Sequence, residues 1–164
     1  QKEKSDFYLE KCCAKTIDLI NSNFLNYDIK IIYKIENIKV CGYETELIQV
    51  LINILNNAKD ALVTSNNSEK FIFIDIFKKE DKAIIEINDN AGGIDEKIID
   101  KVFEPYFTTK HQSQGTGIGL FMCQEIVTKH MNGQISISNA NFEFNNKNYT
   151  GALVKIILGN VVYE

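Results

Sequence analysis

Proline is nearly absent from this chain: Pro105 is its only one, and it falls in a polar stretch between two glycine clusters. No apolar run approaches the roughly 18 residues needed to span a bilayer, and the N-terminus lacks the charged-then-apolar pattern of a signal peptide. The four cysteines, Cys12, Cys13, Cys41 and Cys123, form no CxxC and no Cys/His ligand spacing. They read as reduced thiols, which places the chain in the cytoplasm. Positive charge is also in deficit. The net charge of −4 argues against a nucleic-acid partner, because that mode of binding works by neutralising phosphates. What remains, 45% hydrophobic and 24% charged residues in 164, is ordinary for a soluble globular chain. A single domain spanning 1–164 could bury roughly 70% of its unfolded surface.

Hydrophobic periodicity sets out the elements in order. Phe7, Leu9, Ile17, Leu19, Ile20 and Phe24 recur at helical spacing over 6–24, and β-branched residues over 29–36 predict a strand. The strongest helix signal covers 43–63, where Leu47, Val50, Leu51, Ile54, Leu55, Ala58 and Leu62 make one face. Residues 71–77 alternate as a strand and should pair antiparallel with 83–88 across the tight polar turn Lys79 to Asp81. A short helical stretch is expected near Glu96 to Val102, and a longer one from the second glycine cluster to about Met131. Residues 134–144 and 149–158 should form a closing hairpin around Asn145-Asn146. The expected fold is α+β: a two-layer sandwich with a mixed, mostly antiparallel five-stranded sheet covered on one face by three helices. Phe71, Phe73 and Phe77 then lie on the uncovered face. Either the closing hairpin covers them or they form a partner surface.

Glycine is scarce elsewhere but concentrated in Asp89-Asn90-Ala91-Gly92-Gly93-Ile94 and in Gly115-Thr116-Gly117-Ile118-Gly119-Leu120. The second cluster opens into an amphipathic helix, so unsatisfied N–H groups and a positive dipole end face whatever sits there. That predicts a phosphate site; a plain glycine-rich surface turn is the alternative. It is not a P-loop, because no Gly-Lys-Ser/Thr occurs, and no strand directly precedes the alternating glycines as a dinucleotide fingerprint requires. Asn53, Asn57 and Asp60 recur at four- and three-residue steps and share one helix face. They mark either a functional face or a solvated one. Asp89 ends a strand on the same side as Ile85 and Ile87, so it points inward. It could accept an exocyclic N–H of adenine, or serve as a turn or cap aspartate.

Four ordered stretches carry a family resemblance that covers essentially the whole chain. These are Asn53 through Leu62, Asp89 through Ile94, Phe103-Glu104-Pro105-Tyr106-Phe107-Thr108-Thr109-Lys110, and Gly115 through Leu120. Together they resemble the conserved boxes of sensor histidine kinases, in the catalytic ATP-binding domain of the gyrase, heat-shock chaperone, histidine kinase and mismatch-repair (Bergerat-fold) superfamily. His130 through Gln134 extends the match, and the Phe-Thr-Thr-Lys segment is similar to the nitrogen-regulation and dicarboxylate sensors.

The resemblance implies ATP and Mg²⁺ as cofactors. It makes Asn57 the Mg²⁺ ligand and Asn53 a support for metal and phosphates, with Asp89 reading the adenine amine and Gly93 giving the ring room. Ala91 is left out of the set. Gly115, Gly117, Gly119 and Leu120 would wrap the phosphates, and Thr109 and Lys110 would belong to a lid over about Glu104 to Thr116, Lys110 reaching the terminal phosphate. An exposed loop cation is the other reading of Lys110. Hydrolytic and serine-directed relatives carry a glutamate where this chain has Asn53, and an amide is no general base. The expected activity is therefore transfer of the γ-phosphoryl group to a histidine. A degenerate nucleotide-binding scaffold and a superfamily ATPase are the alternatives.

Neither histidine of the chain fits the phosphoacceptor pattern: Gln follows His111 and Met follows His130. The implied partners are thus a separate dimerisation and phosphoacceptor domain of the parent kinase and a response-regulator receiver domain. The parent is expected as a dimer that could be membrane-anchored, and the domain itself as a monomer. Two departures from the family pattern are Gly159 in place of a proline after the last strand and Asp60 where many relatives carry a basic residue.

Overall fold

The computed structural model describes residues 3–107 and 119–163. In chain order it places β1 (Ser5–Tyr8), α1 (Leu9–Asn26), β2 (Ile29–Ile35), β3 (Lys39–Gly42), α2 (Glu44–Thr64), β4 (Lys70–Lys79), β5 (Lys82–Asp89), α3 (Gly119–His130), β6 (Gly133–Phe144) and β7 (Lys147–Leu158). The main sheet runs β2-β4-β5-β7-β6. Only β2 and β4 are parallel; the other three pairings are antiparallel. Among the described residues no helix is long and apolar enough to cross a membrane.

The alternation of the strands dictates the layers. Ile72, Ile74 and Ile76 of β4 pair with Asp89, Ile87 and Ile85 of β5, which stand beside Val154 and Ile156 of β7. Successive residues of a strand point to opposite faces, so this row forms one apolar side, and all but Asp89 join the buried core. The helices close over it. Buried Cys12, Thr16, Ile20 and Phe24 recur every fourth residue along α1, and the seven-residue stripe from Leu47 to Leu62 is buried along α2. Thr16 is tolerated inside because its hydroxyl donates to the Cys12 carbonyl at 2.9 Å. Burial pushes the thiol of Cys12 up to about 12 and that of Cys13 up to about 11, so both stay protonated.

The turns follow from residues that tolerate left-handed backbone. Glu80 (φ 58) turns β4 into β5, and Asn145 (φ 52) and Asn146 (φ 64) close the β6–β7 hairpin. Two successive positive φ values match the twist of a two-residue hairpin.

Two expectations need correction. Residues 5–8 begin the first element as a strand, not a helix, and pair antiparallel with β3 in a separate two-stranded sheet. Residues 160–162 bind its other side: Cys41 N–H donates to the Asn160 carbonyl and Val162 N–H to the Lys39 carbonyl, both at 2.9 Å. Such four-residue strands are too short to display a period. The stretch from Glu96 to Val102 forms one 3₁₀ turn, Ile99–Lys101, with no buried residue to anchor a longer helix.

The outer phenylalanines are covered by the chain itself. β6 and β7 continue past the end of β5, pairing only with each other from Asn139 to Phe144. This extension brings Phe142, Phe144 and Tyr149 onto Phe71 and Phe73, with edge-to-face ring centroids of 5.1 Å for Phe71–Phe144 and 5.4 Å for Phe73–Phe142. Phe71 is left 4% exposed, whereas Phe77 is half-buried outside this cluster. Phe71→Ala should therefore cost about 3 kcal/mol of unfolding free energy in urea titrations, within the usual range for a buried ring, and Phe77→Ala distinctly less. Equal losses would contradict the hairpin's role as cover.

Candidate nucleotide site

α2 and the end of β5 supply the side chains. Asn53, Asn57 and Asp60 are half-buried on one side of α2. Asn53 faces the first turn of α3: a Cβ placed on Gly119 would lie 3.9 Å from the Asn53 amide carbon. Its side chain also reaches the Cys123 thiol, which burial pushes up to about 11. Leu120 is half-buried and packs against the core. α2 and the start of α3 are thus held together on the amide side of α2.

Asp89 is one of few buried charged or polar side chains among the described residues, at 5% exposure. Its Oδ1 accepts the N–H of Ala91 at 3.0 Å and of Ala152 at 3.2 Å. The first bond is the turn role the sequence allowed; the second ties β5 to β7. Burial raises the carboxyl above its ordinary value, and the two N–H donors hold part of that rise back. A buried carboxylate with one oxygen fixed this way offers the other to a donor from outside.

The backbone after Asp89 turns through Gly92 (φ 104) and Gly93 (φ 91), values that disfavour a side chain. Gly92 N–H donates to the Thr150 carbonyl at 2.8 Å. Asn90, 1% exposed, prolongs the β4–β5 ladder with its side chain. Its Oδ1 accepts Phe71 N–H at 2.9 Å and its Nδ2 donates to the Glu69 carbonyl at 3.0 Å, while its own carbonyl accepts from Asn67.

Sequence reasoning missed Gly151. A Cβ there would fall 1.6 Å from the Asp89 carbonyl oxygen, so β7 can press against Asp89 only with glycine. The available signal was a glycine inside an apolar strand, which marks a close backbone approach. His130 lies with Nδ1 3.0 Å from Glu46 Oε1 and its ring edge-on to Tyr43 at 6.3 Å, joining the end of α3 to the start of α2. Thr109, Lys110, His111, Gly115 and Gly117 lie outside the described residues. The structure thus brings Asn53 to Gly119, and Asp89 to Gly151 and Ala152.

No cluster of three or more acidic, histidine or cysteine side chains that could hold a metal occurs among the described residues. Asn53 and Asn57 instead offer neutral amide oxygens. That suits Mg²⁺, which keeps several waters and takes substrate phosphates in preference to an all-protein cage.

A family model described as histidine kinase-, DNA gyrase B- and HSP90-like ATPase matches residues 42–158, and the chain belongs to that family. Within it, the chain is a catalytic domain of the sensor histidine kinase type, as its relatives indicate. It is 35% identical over 103 residues to the two-component sensor PprA of Pseudomonas aeruginosa, covering 61% of this chain and 11% of that protein. It is 30% identical over 154 residues to the sensor protein KdpD of Clostridium acetobutylicum, covering 88% of this chain and 17% of KdpD. The chain therefore spans a small part of these relatives. Its fold is that of the nucleotide-free catalytic domain of histidine kinase ThkA (TM-score 0.79, 24% identity, 97% of both chains). The full-length kinase ShkA in complex with AMPPNP shares it too (TM-score 0.79, 14% identity, 99% of this chain and 32% of that one).

Proposed function

We propose that residues 1–164 act as one catalytic domain that binds Mg-ATP and donates the γ-phosphoryl group to a histidine on a separate dimerisation domain of its parent kinase. The observation that carries this reading is the pairing of a buried, half-satisfied Asp89 beside a glycine turn with an amide face on α2 that turns to the start of α3. The first suits an adenine amine and the second suits phosphates. Asp89 accepts the exocyclic N–H beside the turn through Gly92 and Gly93; the space expected to give the ring room at Gly93 is taken by the Asn139 side chain, so that glycine serves the shape of the turn. Asn57 holds Mg²⁺ with Asn53 in support. Gly115, Gly117, Gly119 and Leu120 line the phosphates, and Thr109 and Lys110 close over them, Lys110 at the terminal phosphate. Bound Mg²⁺ supplies neutralisation of phosphate charge.

Asn53 favours transfer over hydrolysis. An amide cannot take a proton from water, whereas a neutral imidazole acceptor is already nucleophilic and needs only positioning and electrostatic support. A cytoplasmic site and a response-regulator receiver domain as the next acceptor belong to the same reading. It draws support from ThkA, whose structure in complex with the response regulator TrrA has the same fold (TM-score 0.73, 22% identity). Incubating the chain with the dimerisation domain of its parent and γ-labelled ATP tests the activity. Acid-labile, base-stable label on that domain is expected, and label appearing only as free phosphate would overturn the proposal in favour of an ATPase.

Asn57→Ala should remove most of the Mg²⁺ enhancement of ATP binding while leaving binding in EDTA near that of the unsubstituted chain. Titrations with and without metal read this directly. An undiminished enhancement would take Asn57 out of the metal site.

A further inference from the structure

We propose that Asn139 is a positioning residue: its side chain clasps the backbone of Ile94 and so sets the shape of the glycine turn that receives the nucleotide base. The inference rests on the nucleotide-binding reading above. Asn139 lies on β6 directly opposite Ala152 of β7, the residue whose N–H binds Asp89 Oδ1. Here β7 leaves the β5 ladder, and the turn after Asp89 crosses β7 toward β6. Asn139 meets it there. Its Oδ1 accepts Ile94 N–H at 2.7 Å, and its Nδ2 donates to the Ile94 carbonyl at 2.7 Å and to Glu96 Oε2 at 2.8 Å.

One side chain thus satisfies both backbone groups of Ile94, as a neighbouring strand would. Its second amide hydrogen makes a charge-assisted bond to Glu96. The same amide fills the space of an absent side chain, since a Cβ on Gly93 would lie 2.7 Å from Asn139 Oδ1. The positive φ of Gly93 and the clasp therefore form one unit. Without the clasp, Gly92 to Glu96 would keep on this side the bond from Gly92 N–H to the Thr150 carbonyl. Ordering that segment would then be charged against nucleotide binding. A turn fixed beforehand avoids the cost, which is the general effect of preorganisation.

Asn139→Ala should raise the Kd of the chain for a non-hydrolysable ATP analogue about tenfold, equivalent to about 1.4 kcal/mol. In the phosphotransfer assay KM for ATP should rise with kcat near that of the unsubstituted chain, a split that a general loss of structure would not give. Asn139→Asp should be worse, because a carboxylate then faces Glu96 and the Ile94 carbonyl. Adding Glu96→Gln to Asn139→Asp should recover part of the loss by exchanging donor and acceptor.

Should Asn139→Ala fail to fold, amide exchange in the unsubstituted chain provides the second test. Ile94 N–H should be protected like a ladder amide, and exchange at the rate of an open loop would overturn the clasp. An Asn139→Ala chain that binds the analogue within twofold of the unsubstituted one would overturn it as well, leaving the nucleotide reading intact. If the unsubstituted chain does not bind the analogue at all, the nucleotide reading fails and the effect on affinity fails with it.

Discussion

Asp89→Asn should weaken ATP binding by about 1.5–3 kcal/mol, the value of a hydrogen bond to a charged group, or roughly 10- to 150-fold in Kd. Asparagine can keep Oδ1 for the Ala91 and Ala152 N–H groups. It then turns an NH₂ toward the adenine amine, donor against donor. The same substitution should stabilise the nucleotide-free chain at neutral pH. Burial raises the Asp89 carboxyl in the folded state, so the folded chain binds its proton more tightly than the unfolded one. Its contribution to stability is then greatest below the unfolded pKa and falls as pH rises through the window between the two values. Asp89→Asn removes that slope. Calorimetric titration and thermal melts across pH 3 to 7 measure both effects. Unchanged affinity would remove Asp89 from the base site, and a destabilised apo chain would contradict the buried, half-satisfied carboxyl.

Gly151→Ala should abolish nucleotide binding to the limit of detection and lower stability by at least the 1–3 kcal/mol usual for an overpacked site. Its Cβ would overlap the Asp89 carbonyl oxygen at 1.6 Å and approach the carbonyl carbon at 2.5 Å and Oδ1 at 2.9 Å. These first two atoms are backbone in a paired strand, so no side-chain rotation relieves the contact. β7 must move off β5 where Ala152 holds Asp89. Affinity and urea midpoint should fall together, unlike in Asp89→Asn, where they part. An alanine variant that binds ATP normally would show that β7 need not lie so close.

The contrast between these two residues explains what the sequence could disclose. Asp89 was legible because the alternation Ile85, Ile87, Asp89 within a strand fixes its direction by local rules, and α2 was legible because its stripe from Leu47 to Leu62 repeats over about four turns. Gly151 and Asn139 act through contacts with residues more than forty positions away, and no local period encodes such a pairing. The same reason hid the β1–β3 sheet, whose strands have four residues each. The phenylalanine face could be seen in the alternation of β4. Its cover could not, because it depends on how far β6 and β7 run past the end of β5.

Titration of the chain by calorimetry with ADP and with a non-hydrolysable ATP analogue, each with and without Mg²⁺, tests the nucleotide site most directly. Micromolar binding of both, strengthened by the metal, is the expected result. No heat at millimolar nucleotide would contradict it, leaving a kinase-type fold with a site that does not take ATP.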